Sequence, residues 1–338
     1  MAIGCPPYAT AVSASSDPDA LVPPDARAAI LRWYAAAGRP LAFRATGDPY
    51  AVLVAEVMAQ QTQAARAAEA WTSWTARWPT ASDLAAAPIA EVVRAWSGLG
   101  YNRRAVALHR AARAIVADHG GLVPDAVEAL ERLPGVGPYT ARAVAAIAFG
   151  RPVGAVDTNT RRVLGRIAAG SRDALAPQRL QALADAVVPP GRAAAWAHAL
   201  MDVGALLCSP RGPSCPACPA APWCRYASGQ RSEEGGRGPR RRTPSPAFAS
   251  TARWLRGRVL EQARGADGDE WVPFGASIGV HRAAAVRQAV LALEVEGLLE
   301  AREVGGRIEA RLPTTAPGRS AGSPVEDVPT ELERQPGA

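Results

Sequence analysis

There is no lysine anywhere in this chain of 338 residues, and all 38 basic side chains are arginine. Chemistry that needs a side-chain amine, such as an imine to a carbonyl carbon, is excluded, because a guanidinium stays protonated and is a poor nucleophile. Long apolar runs are missing too. No stretch of about 18 apolar residues can span a bilayer, and the opening MAIGCPPYATAVSASSDPDA lacks a basic stretch followed by an apolar one. No membrane partner is expected, and the location expected is cytoplasmic. Cysteines number only five, and in a reducing compartment so few thiols are expected as ligands, not as a disulfide framework. Cys5 stands alone in the leader and reads as a free thiol.

The chain carries a formal charge of +7 and 48% hydrophobic residues. The surplus favours a polyanionic partner, and the length allows two or three domains at roughly 150 residues each. Helix punctuation dominates the first two thirds. PPDARAAILRWYAAAG runs from prolines to Gly38, and GDPYAVLVAEVMAQQT has Asp48 as N-cap with Pro49 at the first helical position. Similar segments recur to residue 206, and alternating strand patterns are absent before residue 270. An all-α body of about ten helices is expected.

Three stretches carry chemistry. CSPRGPSCPACPAAPWC, residues 208 to 224, spaces four cysteines C-x6-C-x2-C-x5-C. A structural zinc site usually shows two Cys-x-x-Cys knuckles, whereas an iron-sulfur cluster needs four thiolates around a larger object, and spacing alone leaves both open. ALERLPGVGPYTARAV reads as helix, tight turn, helix, with glycines 135 and 137 before a helix opening at Pro138. That is either an ordinary helix corner or an anion site suited to a phosphate. In AVDTNTRRVLGRI, Asp157 precedes a helix and reads on its own as a cap. Glu56 lies mid-helix with Gln60 and Gln63 at i+4 and i+7, which on its own reads as a wet polar stripe.

LPGVGPYTARAV, VDTNTRRV and the cysteine run, in that order, resemble the helix-hairpin-helix DNA glycosylases that include endonuclease III. EVMAQQTQ and WSGLGYNRRAVALHRAA narrow the resemblance to the adenine DNA glycosylases of the MutY family, which remove adenine mispaired with 8-oxoguanine or guanine. The resemblance covers roughly residues 25 to 228. It implies a six-helix barrel with the helix-hairpin-helix over 41–151, and an iron-sulfur helical domain from 23–40 and 152–228. Cys208, Cys215, Cys218 and Cys224 are then ligands of a 4Fe-4S cluster. Glu56 would protonate the leaving adenine and Asp157, with Asn159 beside it, would stabilise the sugar cation. Two carboxylates suit a reaction that leaves a base anion and an oxocarbenium ion. Tyr139 stands where lyase members of the superfamily carry lysine, so hydrolysis by water is expected, with Tyr139 orienting Asp157 or the sugar. Gln60 would contact DNA, Gln61 would wedge into the stack and Tyr101 would lie beside the lesion base. Gly135 and Gly137 would meet phosphate, and Arg161, Arg162 and Arg211 either meet phosphate or are solvated surface arginines. The expected partner is double-stranded DNA bearing A:8-oxoguanine or A:G, bound by a monomeric, DNA-associated bacterial enzyme.

Beyond a polar linker at 229–247, residues 248–313 read as helix, short extended piece, helix and a hairpin about Gly305-Gly306. This is a small winged-helix-like α+β module, where typical relatives carry a larger Nudix-like lesion reader. It could equally be a packing cap without DNA contact. Residues 314–338 are expected to be a disordered tail, as is the leader 1–22. Two other activities fit parts of the pattern: a thymine glycosylase for T:G mismatches, and a non-catalytic DNA-binding regulator. The pair Glu56 and Asp157 disfavours the second.

Overall fold

The computed structural model describes residues 17–230 and 247–314. The expected leader would reach residue 22, but a helical turn, α1 (Pro18–Leu21), capped by Asp17, already packs Leu21 and Val22 into the interior. Among the described residues, twelve α-helices form the body. After α1 come α2 (Pro24–Ala37), α3 (Pro49–Ala59), α4 (Ala64–Arg77), α5 (Ala81–Ala86), α6 (Ile89–Ala95) and α7 (Arg103–His119). They are followed by α8 (Val127–Glu131), α9 (Pro138–Phe149), α10 (Thr158–Ala169), α11 (Pro177–Ala186) and α12 (Ala193–Asp202).

The helix α3 explains how the first core is built. Asp48 caps it through the Ala51 amide at 2.7 Å, and nearly every side chain from Tyr50 to Met58 is buried. A helix apolar on all sides must sit inside a ring of others, and α4, α7 and α9 pack around it. Trp74 meets Trp78 and Trp96 edge to face, with centroids 4.6 and 5.4 Å apart. The helix stops at Ala59, earlier than the glutamine spacing implies, so Gln63 caps α4 and does not share a face with Glu56.

A second core joins the two ends of the body. Leu21, Val22 and Ile30 pack with α10, α11 and α12 and with three cysteines of the 208–224 loop. Wholly buried Asp202, the last residue of α12, accepts hydrogen bonds from Arg39 and Arg44, at 2.7 and 2.6 Å for the nearest pairs. Pairing with two guanidiniums compensates a carboxylate that burial would otherwise penalise by several kcal/mol, on the order of the cost of a lone buried ion.

The C-terminal part follows the expected order. Helix α13 (Ala252–Gly265) precedes strand β1 (Val272–Pro273), then come α14 (Ala283–Val295) and a hairpin of β2 (Glu300–Val304) and β3 (Arg307–Arg311). The antiparallel sheet has order β1-β3-β2, so the short extended piece pairs with the far arm of the hairpin. Gly305 and Gly306 turn it with φ of 58° and 75°, angles that need no Cβ. This part is docked on the body: Arg264 donates to the Val93 carbonyl at 3.0 Å and to Asn102 Oδ1 at 2.8 Å, and Arg94 reaches the Gly268 carbonyl at 2.8 Å.

Candidate active site

Glu56, in the third turn of α3, faces the starts of α9 and α10. Its side chain is buried and has no ion-pair partner among the described residues. Burial pushes its carboxyl up to about 7, and the charge of Asp157 adds to the rise, while the Tyr139 hydroxyl and the Arg44 guanidinium hold it back. A group with that pKa still carries its proton in about half of the molecules at pH 7, where an ordinary carboxyl has lost it. Tyr139, at the second position of α9, is within electrostatic range of both carboxyls. Its low-dielectric surroundings, then Glu56 and Asp157, raise it well above 10, so it remains a phenol. Its hydroxyl also points to Met201 Sδ at 3.8 Å.

Asp157 is the N-cap of α10 and close enough to Glu56 to be felt by it. Oδ1 accepts from the Thr160 amide at 2.6 Å and Oδ2 from Asn159 Nδ2 at 2.9 Å, which fixes the carboxylate. The cap and the charged site are one side chain. Asn159 Oδ1 in turn accepts from Arg162 at 2.7 Å, and Arg162 donates to the carbonyls of Gly204 and Cys208. Arg162 is thereby corrected from a phosphate contact to a buried brace. A turn of π-helix over Val203–Leu207 brings Gly204 there, where an added Cβ would fall 2.5 Å from Asn159 Cβ.

Cys208, Cys215, Cys218 and Cys224 are free thiols, gathered by single-turn bonds. The Cys218 amide donates to the Cys215 carbonyl at 3.0 Å and the Cys208 amide to the Val203 carbonyl at 2.7 Å. Buried Arg166 holds the loop through the Ser209 and Pro210 carbonyls and touches Cys208 Sγ at 3.3 Å. Burial raises the Cys218 thiol to about 11, and the other three cysteines add to the rise. Four thiols in mutual electrostatic range suit a cationic group that keeps them deprotonated. Among the described residues no three His, Cys, Asp or Glu converge closely enough to hold a metal ion.

Gln60 donates to Thr140 Oγ1 at 3.1 Å. Gln61 and Tyr101 are the non-glycine residues with positive φ among those described, at 53° and 44°, and such strain gathers at functional sites. Gly135, at φ 79°, also comes so close to Ala107 that a Cβ would sit 2.7 Å from its Cβ, whereas Gly137 has an ordinary φ of −94° and open space around it. The protein's own packing demands the first glycine and not the second. Arg161 is half-buried and 3.5 Å from Asp173. Arg211 is exposed.

Two residues were outside the sequence reading. Arg44 carries a positive charge towards Glu56 and Asp202 together. Buried Arg104 donates to the carbonyls of Val57, Met58 and Gln60 on one side, at 2.6 to 3.0 Å, and of Leu99 and Gly100 on the other, at 3.0 and 2.9 Å. It clamps the Gln61 and Tyr101 loops to each other. The sole signal for it was an arginine directly after a glycine-flanked turn.

The sequence profile of the HhH-GPD superfamily base excision DNA repair proteins matches residues 54–190. An adenine DNA glycosylase of Mycobacterium tuberculosis is 45% identical over 244 residues, which covers 70% of this chain and 78% of the relative. The solved structure of a thermostable thymine-DNA glycosylase superposes with a TM-score of 0.57 at 32% identity, over 60% of this chain and 95% of that one. A trapped endonuclease III-DNA covalent intermediate gives 0.53 at 25% identity, over 61% and 95%.

Proposed function

The chain belongs to the adenine DNA glycosylases of the helix-hairpin-helix base-excision repair superfamily, and from that premise we infer that it hydrolytically removes adenine mispaired with 8-oxoguanine or guanine. The observation that carries the reading is a buried carboxyl, Glu56, whose burial raises its hold on a proton, within electrostatic range of a second carboxyl, Asp157, fixed by two donors.

Adenine has to leave the stack to reach Glu56, at a cost of a few kcal/mol. Once there, its ring nitrogen takes the Glu56 proton, which turns an anionic leaving group into a neutral one. Proton donation of this kind contributes roughly a hundred- to ten-thousand-fold. Positive charge then grows on the sugar and is met by Asp157, whose orientation Asn159 holds. Tyr139, unable to form an imine and uncharged throughout, borders both groups and orients them. Water attacks the sugar and leaves an abasic strand. Gln61 fills the gap left by the base, Tyr101 lies beside the opposite base, and Gln60 holds the start of α9 through Thr140. The turn at Gly135 and Gly137 binds a phosphate through free amides, Gly137 being open so that the backbone can approach. Arg161 and Arg211 contact the same backbone. Cys208, Cys215, Cys218 and Cys224 would hold a 4Fe-4S cluster, which ties this loop beside α10.

Duplexes carrying A:8-oxoguanine, A:G, T:G and thymine glycol, each assayed for free base, test the reading. Adenine should be released from the first two, with strand breaks only after heat or alkali and little covalent adduct on borohydride addition. Release from T:G alone, or efficient trapping, would overturn it.

A further inference from the structure

A cleft of about 740 Å³ runs between the body's turn at Ser97–Asn102 and α13 of the C-terminal part, with Tyr101 on its floor. Five arginines border it, and their partners differ. Arg256 pairs with Glu296 and Arg258 with Glu261. Arg264 is held by a carbonyl and an asparagine, and burial depresses it to about 10 while the nearby Glu261 carboxylate partly offsets the fall. Arg103 and Arg253 are exposed and have no carboxylate partner among the described residues. They flank Tyr101, and the Arg253 guanidinium sits 4.5 Å from its ring centroid.

A guanidinium lying on a ring face keeps its in-plane N–H edges free for an acceptor. Uncompensated like charges crowded into one cleft repel each other, and an entering anion relieves that repulsion. The α13 wall that carries Arg253 is held firmly. The Thr251 hydroxyl caps α13 at the Trp254 amide, Trp254 stacks on His281 at 5.8 Å, and Gly279 passes so close to Trp254 that a Cβ would meet its ring at 2.7 Å. Arg264 then fixes α13 to Asn102, next to Tyr101 itself.

We propose that this cleft takes backbone phosphates of the DNA strand opposite the excised adenine, with Arg103 and Arg253 as the contacts. The C-terminal part is then a second jaw on the duplex and not a packing cap. The inference rests on the proposed adenine-excising reading, which sets Tyr101 beside the opposite base.

The test is binding of the full chain to a duplex with one A:8-oxoguanine pair, followed between 50 and 200 mM salt, a range over which phosphate contacts weaken affinity by orders of magnitude, about a thousandfold or more for six to ten of them. Arg103→Ala and Arg253→Ala should each weaken binding and reduce the slope of log affinity against log salt by about one, and the double substitution by about two. Arg253→Lys keeps the charge and should restore the slope. Thermal melting checks that each variant folds, with Arg253→Gln as a second neutral variant. Unchanged slopes in a double variant that melts like the parent would overturn the proposal. Adenine release with unchanged slopes removes only the cleft, while changed slopes without adenine release remove the functional reading and leave the cleft as a DNA site.

Discussion

At the scale of single residues, the decisive quantity is the proton on Glu56. Below about pH 4.5, its ordinary pKa, the carboxyl is protonated in folded and unfolded chains alike. Between there and about 7 the unfolded chain releases a proton that the folded chain keeps, so stability falls as pH rises and then levels off. Glu56→Gln removes this penalty. The variant should melt near the parent at acid pH and increasingly above it towards neutrality, with a gain of up to about 3 kcal/mol from a shift of that size. It should also lose base release, because it keeps the shape and lacks the acid. A melting difference that stays constant with pH, or near-parental turnover, would count against the assignment. Glu56 and Asp157 were legible through their motifs. Arg104 and Arg162 were not, because each is defined by carbonyls far along the chain, and in a sequence whose every base is arginine nothing marks a buried one.

The helical elements were legible where proline, aspartate and glycine punctuate them: α3 begins on Asp48 and Pro49, and α9 on Pro138. Where the chain stops without such a signal, as at Ala59, the apolar pattern ran on and the boundary was lost. The partner of β1 was equally hidden, since sheet register depends on contacts between segments remote in sequence. At this scale the cysteine loop and α10 form one unit, joined by Arg166 and by the chain Asp157, Asn159, Arg162 and Cys208. Anaerobically purified protein should carry about four irons per chain, as four thiolates around a cubane imply. Cys218→Ser should lower iron content and hydrogen-exchange protection in α10 and α12 more than in α3, whose partners lie in the other core. Zinc in place of iron, or equal loss of protection everywhere, would contradict this.

For the whole molecule, every proposed catalytic side chain precedes residue 160, while the C-terminal part docks on α6 and α7 through Arg264 and Arg94. A chain ending at Gln230 should therefore still release adenine, with weaker affinity and a lower melting temperature from the exposed α6–α7 face. If the second jaw helps to read the opposite base, the preference for 8-oxoguanine over guanine should shrink as well, measured as the ratio of the two release rates. A truncated chain with both affinity and preference intact would leave the C-terminal part without a role on DNA. The order of its elements was readable, and its docking was not, because the arginines that anchor it resemble those that face solvent.

The clamp made by Arg104 bears on where deformation falls when protein and duplex meet. Its acceptors are backbone carbonyls and the Thr62 hydroxyl, none of which titrates, and the guanidinium stays charged across the physiological range. The spacing between the Gln61 and Tyr101 loops is thus set before any ligand arrives and is stiff against pH and salt. A rigid gauge of this kind does not adapt to the helix, so the bending and unstacking have to be borne by the DNA. Pairs that open easily are then favoured over sound ones even before a base edge is touched, because a weakened pair offers the least resistance to being forced to the gauge.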